Sequence, residues 1–320
     1  MLHWAIMDRG MTTAARLPVE AADVAAAAVL LAGRVRRTPL LPLDGTELLV
    51  KCECLQETGS FKLRGATNAV TVLRPPGVVT ASSGNHGRAL ATAARRAGIP
   101  ATVVMTSDST PFKRAAVERA GATVVDCPPG TDTRARAAEA IARRGGLALI
   151  PAYDHPLVIA GQGTVGLEIL ADLPEAEVVV VPLGGGGLLS GIATALAGSG
   201  RRPRIIGVEP RAGDDFVRSR AAGRRVTVPL PQTICDGARV QTPGQLTFDI
   251  VQARVDDLLS VDDGAVVDAM RVLAKGGIYV EPTGALAVAG ALQQGLRGGT
   301  VCVVSGRNID PTEYARLLGV

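Results

Sequence analysis

A chain of 320 residues with 47% hydrophobic and 20% charged residues has a globular composition and enough length to bury one large core or two modest ones. The formal charge of +4 comes from scattered arginines such as Arg36–Arg37, with no basic run and only 2% aromatic residues to stack on bases, which argues against nucleic-acid binding. No apolar stretch reaches membrane-spanning length.

The first nine residues carry no secretory pattern, and Met11 is an alternative start. Residues 51–55 alternate as Lys51-Cys-Glu-Cys-Leu55, which predicts a strand with Lys51 facing solvent. From there strand-like and helix-like segments take turns. Residues 78–81 lead into 88–97, 101–105 into 111–120, and 123–126 into 132–144. Later, 178–181 lead into 188–197, and 204–208 into 214–222, with a last apolar strand at 301–304. This rhythm predicts parallel sheets covered by helices on both faces, arranged as two interlocked α/β lobes. The five cysteines (Cys52, Cys54, Cys127, Cys235 and Cys302) form no C-x-x-C pair and no metal-ligand spacing, so a reducing cytoplasm is expected.

Only four of the 34 basic residues are lysines, so each one invites a question. Lys113 opens a helix, and Lys275 precedes Gly276-Gly277, where a cation suits a helix C-terminus. Lys62 stands in Thr58-Gly-Ser-Phe-Lys62-Leu-Arg-Gly65, where a turn enters a helix beside the apolar Phe61. Such surroundings lower an amine's pKa and make it a nucleophile, although spacing alone fits an ordinary helix-start lysine equally well. Gly184, Gly185, Gly186 and Gly187 follow an apolar strand and open a helix, which makes a backbone nest suited to phosphate. Glu209, about twenty residues on, mimics the acidic residue of a dinucleotide fold. The G-x-G-x-x-G spacing fails, however, because Leu189 or Ser190 stands at the third glycine. Ser82-Ser-Gly-Asn-His-Gly87 forms a second anion-accepting turn, suited to a carboxylate, in which His86 reads as a capping or packing residue.

Taken in order, these motifs resemble the fold-type II pyridoxal-phosphate enzymes, in particular the serine/threonine dehydratase and serine racemase group. Ala160-Gly-Gln-Gly-Thr164, Gly207-Val-Glu-Pro210, Glu281-Pro-Thr-Gly-Ala285 and Ser305-Gly-Arg-Asn308 complete the match, which runs from Arg37 to Asn308. The resemblance implies two three-layer α/β lobes like those of the tryptophan synthase β chain, a large one at 1–76 and 153–320 and a small mobile clamp at 77–152. It further implies a homodimer acting on an amino acid. Pyridoxal phosphate would join Lys62, with Phe61 beside its ring, Asn85 on its phenolic oxygen, Ser305 on its ring nitrogen and the four glycines on its phosphate. Ser82, Ser83, Gly84, Asn85 and His86 would hold the substrate carboxylate, and Ser83 would face the cofactor opposite Lys62. Glu209, Gly213 (through its carbonyl) and Asp215 match a Mg²⁺ or Ca²⁺ site of the racemase branch.

Arg307 departs from the family's Gly-Gly-Asn and is expected to bring bulk and charge near the ring edge. With Val320 as the last residue, the regulatory module of biosynthetic threonine dehydratases is expected to be absent. A serine at the ring nitrogen cannot hold that nitrogen protonated as a carboxylate would, which disfavours transamination and favours loss of a β-substituent. The expected reaction is dehydration and deamination of a small hydroxy-amino acid, such as L-threonine or L-serine, to a 2-keto acid and ammonia. Racemisation is the alternative.

Overall fold

The computed structural model describes residues 17–82, 84–129, 131–200 and 202–320, so Met11 and Ser83 lie outside the described residues. The chain begins with α1 (Ala21–Leu31), the antiparallel pair β1 (Leu40–Pro42) and β2 (Leu49–Lys51), and α2 (Lys62–Leu73). It then builds a separate sheet from β3 (Val78–Ala81), α3 (Asn85–Arg96), β4 (Ala101–Thr106), α4 (Pro111–Arg119), β5 (Thr123–Cys127), α5 (Thr131–Gly145) and β6 (Ala148–Leu149). That four-stranded sheet is parallel throughout, in the order β5-β4-β3-β6.

The chain returns through α6 (Pro156–Asp172), β7 (Val178–Pro182), α7 (Gly187–Ala197), β8 (Arg204–Pro210), α8 (Asp215–Ala222) and α9 (Gln245–Arg254). It ends with β9 (Asp257–Val261), α10 (Asp263–Lys275), α11 (Pro282–Gln293), β10 (Thr300–Val303) and α12 (Pro311–Leu318). The second sheet runs β1-β2-β10-β7-β8-β9 and is parallel apart from its β1 edge. Its central strands are apolar without interruption because both faces are covered. Val179, Val181, Val301 and Val303 pack with Leu189 and Ile192 of α7. Their neighbours Val180 and Cys302 point the other way, into Met270 of α10 and Leu286 of α11. The expected class, two α/β lobes with mostly parallel strands, is the one observed. Local signals also place the helix starts: Thr110 caps α4, Asp262 caps α10, and Asp310 caps α12.

Two local readings are corrected. The strand stops at Lys51, and Glu53–Leu55 form a turn of 3₁₀ helix. Lys51 is fully buried, donating to the Thr38 carbonyl at 2.6 Å and pairing with Glu168 at 2.8 Å and Asp172 at 3.3 Å. Beside it Arg64 makes paired hydrogen bonds to Glu53 at 2.7 and 2.8 Å and to Glu168 at 2.6 and 2.9 Å. Burial alone would raise the Glu53 carboxyl, but Arg64, with Thr38 and Lys51, holds the group below the ordinary range. The alternation misled because Lys51's ion-pair partners come from α6, more than a hundred residues away.

Candidate active site

Between the two sheets lies a cavity of about 590 Å³, lined by the ends of β3 and β7, the starts of α3 and α7 that follow them, and Ser305 just beyond β10. Lys62, the first residue of α2, enters it with Nζ 4.8 Å from the Phe61 ring centre and donating to the Ala152 carbonyl at 2.7 Å. Burial brings this amine down to about 8, a shift that the nearby Glu281 opposes when it is ionised. A lysine so tuned supplies neutral amine near physiological pH.

The glycine loop leaves β7 and enters α7, and from Gly185 to Gly187 neighbouring side chains leave no space for a Cβ. One added at Gly185 would collide with the Tyr153 ring, and Gly186, at φ +86°, would meet Phe216 and Thr247. Next to Gly187 the amide of Gln162 is buried, with neither its oxygen nor its nitrogen hydrogen-bonded. A Gly-only nest at a helix N-terminus beside an unsatisfied amide fits a phosphate group.

Ser82, Gly84, Asn85 and His86 line the cavity at the start of α3. His86 is buried, with Nε2 2.9 Å from the Ile150 carbonyl; burial, aided by the Lys62 charge, lowers it to about 3, so it stays neutral. Ser305 is buried just after β10 and lines the same cavity, its carbonyl accepting from Phe61 N–H at 3.2 Å. A cavity with these donors fits the aromatic ring, phosphate and carboxylate that the motifs imply. Arg307 is a correction, because its side chain is exposed and takes no part in the lining. Gly306 occupies the tight position, where a Cβ would strike the Glu281 carboxylate.

Glu209 and Asp215 are buried away from this cavity. Glu209 accepts from the N–H groups of Phe216 at 3.1 Å and Val217 at 3.0 Å, while both Asp215 oxygens are buried and unpartnered. Gly213 is buried in the turn between them. Among the described residues no group of three or more His, Cys, Asp and Glu side chains assembles as a metal site.

Several positions at the cavity carried no assigned role in the sequence. Glu281, Asn308, Gln162 and Tyr153 all lie at or beside the cavity, and three of them sit inside the quoted motifs. Lys113 of α4 makes a short ion pair with Asp236, joining the two bodies across the cavity. The one local sign for Glu281 is a carboxylate directly before the proline that starts a helix.

The family profile described as "Pyridoxal-phosphate dependent enzyme" matches residues 31–306. The L-threo-3-hydroxyaspartate ammonia-lyase of a Pseudomonas species is 43% identical over 310 residues, covering 92% of this chain and 97% of that protein. The serine racemase of Schizosaccharomyces pombe is 40% identical over 310 residues, covering 92% of this chain and 96% of that one. Among solved structures, maize serine racemase superposes with a TM-score of 0.88 at 35% identity, covering 93% of this chain and 96% of that chain.

Proposed function

The chain belongs to the pyridoxal-phosphate-dependent enzymes, and from that premise we propose that it is an ammonia-lyase whose foremost substrate is a β-hydroxy amino acid with a second carboxylate, L-threo-3-hydroxyaspartate. The observation that carries the substrate is the surplus of cations around the cavity. Arg88, Lys113, Arg134, Arg225 and Arg239 line it beside Glu139, Asp154, Asp236 and Glu281, and Lys113 is paired with Asp236. Of the carboxylates there, Asp154 accepts three backbone N–H groups at the start of α9, and Glu281 is pushed up to about 8. A substrate with two carboxylates suits that field better than serine or threonine does.

Pyridoxal phosphate, when bound, supplies the electron sink for bonds at the α-carbon. The chain's own groups divide the rest. Gly184–Gly187 and Gln162 hold the phosphate, and Ser305 meets the ring nitrogen. The turn of Ser82, Ser83, Gly84, Asn85 and His86 clamps the α-carboxylate. Lys62 takes the α-proton and the β-hydroxyl leaves as water, so that hydrolysis yields a 2-keto acid and ammonia. In this reading residues 77–152 form the clamp and close on the larger body of 1–76 and 153–320. Glu209, Gly213 and Asp215 hold a divalent cation, since hard oxygen ligands suit Mg²⁺ or Ca²⁺. Racemisation is the second reading, favoured by the 40% identity to a serine racemase and requiring Ser83 as the acid on the far face.

One assay separates these readings. With purified holoenzyme, keto-acid release and product chirality are measured on L-threo-3-hydroxyaspartate, L-threonine and L-serine. The proposal expects the highest kcat/KM for hydroxyaspartate, with oxaloacetate and ammonia formed. A higher kcat/KM for threonine, or D-amino acid as the main product, overturns it.

A further inference from the structure

A chain of hydrogen bonds crosses the cavity with a fixed direction. It starts at Arg88, a group that only donates, whose Nη1 gives a bond to Asn308 Oδ1 at 2.8 Å. Asn308 Nδ2 donates to the Thr58 carbonyl at 2.9 Å, which only accepts, and to Asn85 Oδ1 at 2.5 Å. Asn85 Nδ2 then donates to Glu281 Oε1 at 2.6 Å. The obligate donor and the obligate acceptor around Asn308 forbid turning its amide, and this in turn forbids turning that of Asn85. An amide nitrogen carries two hydrogens, so Asn85 keeps one N–H beyond the bond to Glu281. All four side chains line the cavity, and the bodies alternate along the chain: Arg88 and Asn85 sit on α3, Asn308 and Glu281 on the segments flanking α11 and β10.

We propose that Glu281 and Asn308 are positioning residues that lock the Asn85 amide with its second N–H aimed at the phenolic oxygen of bound pyridoxal phosphate. This inference rests on the family reading above. Glu281 fits the acceptor's place at neutral pH. Burial, reinforced by the charge of Asp236 and opposed by Asn85 and Lys113, pushes its carboxyl up to about 8, so it is protonated and neutral there. A neutral acid next to the ring anchors the amide without setting a second full charge beside the phenolic oxygen. The lock forms only when the two bodies are together, so it also ties the tuning of the ring to closure.

The test uses absorbance of the purified holoenzyme at pH 7 and the affinity of the apoprotein for pyridoxal phosphate. Glu281→Gln keeps a neutral acceptor and is expected to retain the wild-type balance of visible to near-ultraviolet absorbance. Glu281→Leu removes the acceptor, and Asn308→Asp removes both donors. Each is expected to shift that balance in the direction seen for Asn85→Ala and to weaken cofactor affinity about tenfold, the effect of one lost hydrogen bond. If Asn85→Ala changes the balance while Glu281→Leu and Asn308→Asp keep it, the inference is overturned. Should Glu281→Leu not fold, Asn308→Asp decides alone, because it reverses the chain without emptying space. A wild-type protein that shows no visible band with pyridoxal phosphate sinks the family reading instead, so the two failures are distinct.

Discussion

At pH 7 an ordinary lysine amine is almost fully protonated and cannot attack a carbonyl carbon. Lys62, brought down to about 8 by burial, holds a useful neutral fraction there. The sign is definite: a lowered pKa means that neutral amine accumulates from about 8 upward, where a free lysine waits until near 10.5. We therefore expect apoprotein to capture pyridoxal phosphate faster as pH rises, by about tenfold per unit below pH 8, and then to level off. Stopped-flow absorbance follows the visible band. A rate still climbing toward pH 10 means an unperturbed amine, and Lys62→Ala is expected to form no band at any pH. The turn that carries Lys62 into α2 was legible from its glycines, while spacing left the lysine's role even and only the order of motifs, through the family resemblance, pointed to it. Lys51 was not legible, since its burial depends on Glu168 and Asp172 of α6. Arg307 was misread for a related reason: the family resemblance put it near the ring edge, and the backbone turns its side chain outward.

At the level of elements, hydrophobic periodicity was a good guide wherever a strand is covered on both faces, as in β7 and β10. It failed at β2, where the chain is buried but turns after three residues. The β8–α8 junction poses a different problem. Glu209 ends up capping α8, and Asp215 holds two buried oxygens that nothing in the described chain satisfies. A buried carboxylate in that state needs a proton or a cation. A Mg²⁺ or Ca²⁺ ion bound only by the folded state stabilises it, by about 2.7 kcal/mol at a hundredfold excess over Kd. We accordingly expect the Tm of chelator-treated protein to rise on adding either ion, with Asp215→Asn abolishing the rise. Equal melting curves with chelator and with cation would leave the two carboxylates sharing protons and remove the metal from the proposal.

For the whole molecule, the cavity exists only because two separately cored bodies face one another. Each core was legible from its own apolar strands; the clasp between them was not, because Lys113 and Asp236 are 123 residues apart and neither belongs to a motif. The pair is partly exposed, with side chains 29% and 35% accessible, so its contribution is bounded at about 1 kcal/mol. A latch of that size shifts an open–closed equilibrium by about fivefold at most. We expect Lys113→Met to raise KM by up to about fivefold while kcat stays within about twofold. The exchange of charges in Lys113→Asp with Asp236→Lys should restore KM. The substrate panel separates this role from direct binding. If Lys113 works as a latch, the rise in KM is the same for L-threonine and for hydroxyaspartate. A rise confined to hydroxyaspartate means that Lys113 reads the second carboxylate, and the clasp between the bodies must then be sought in the Asn85–Glu281 and Asn85–Asn308 bonds.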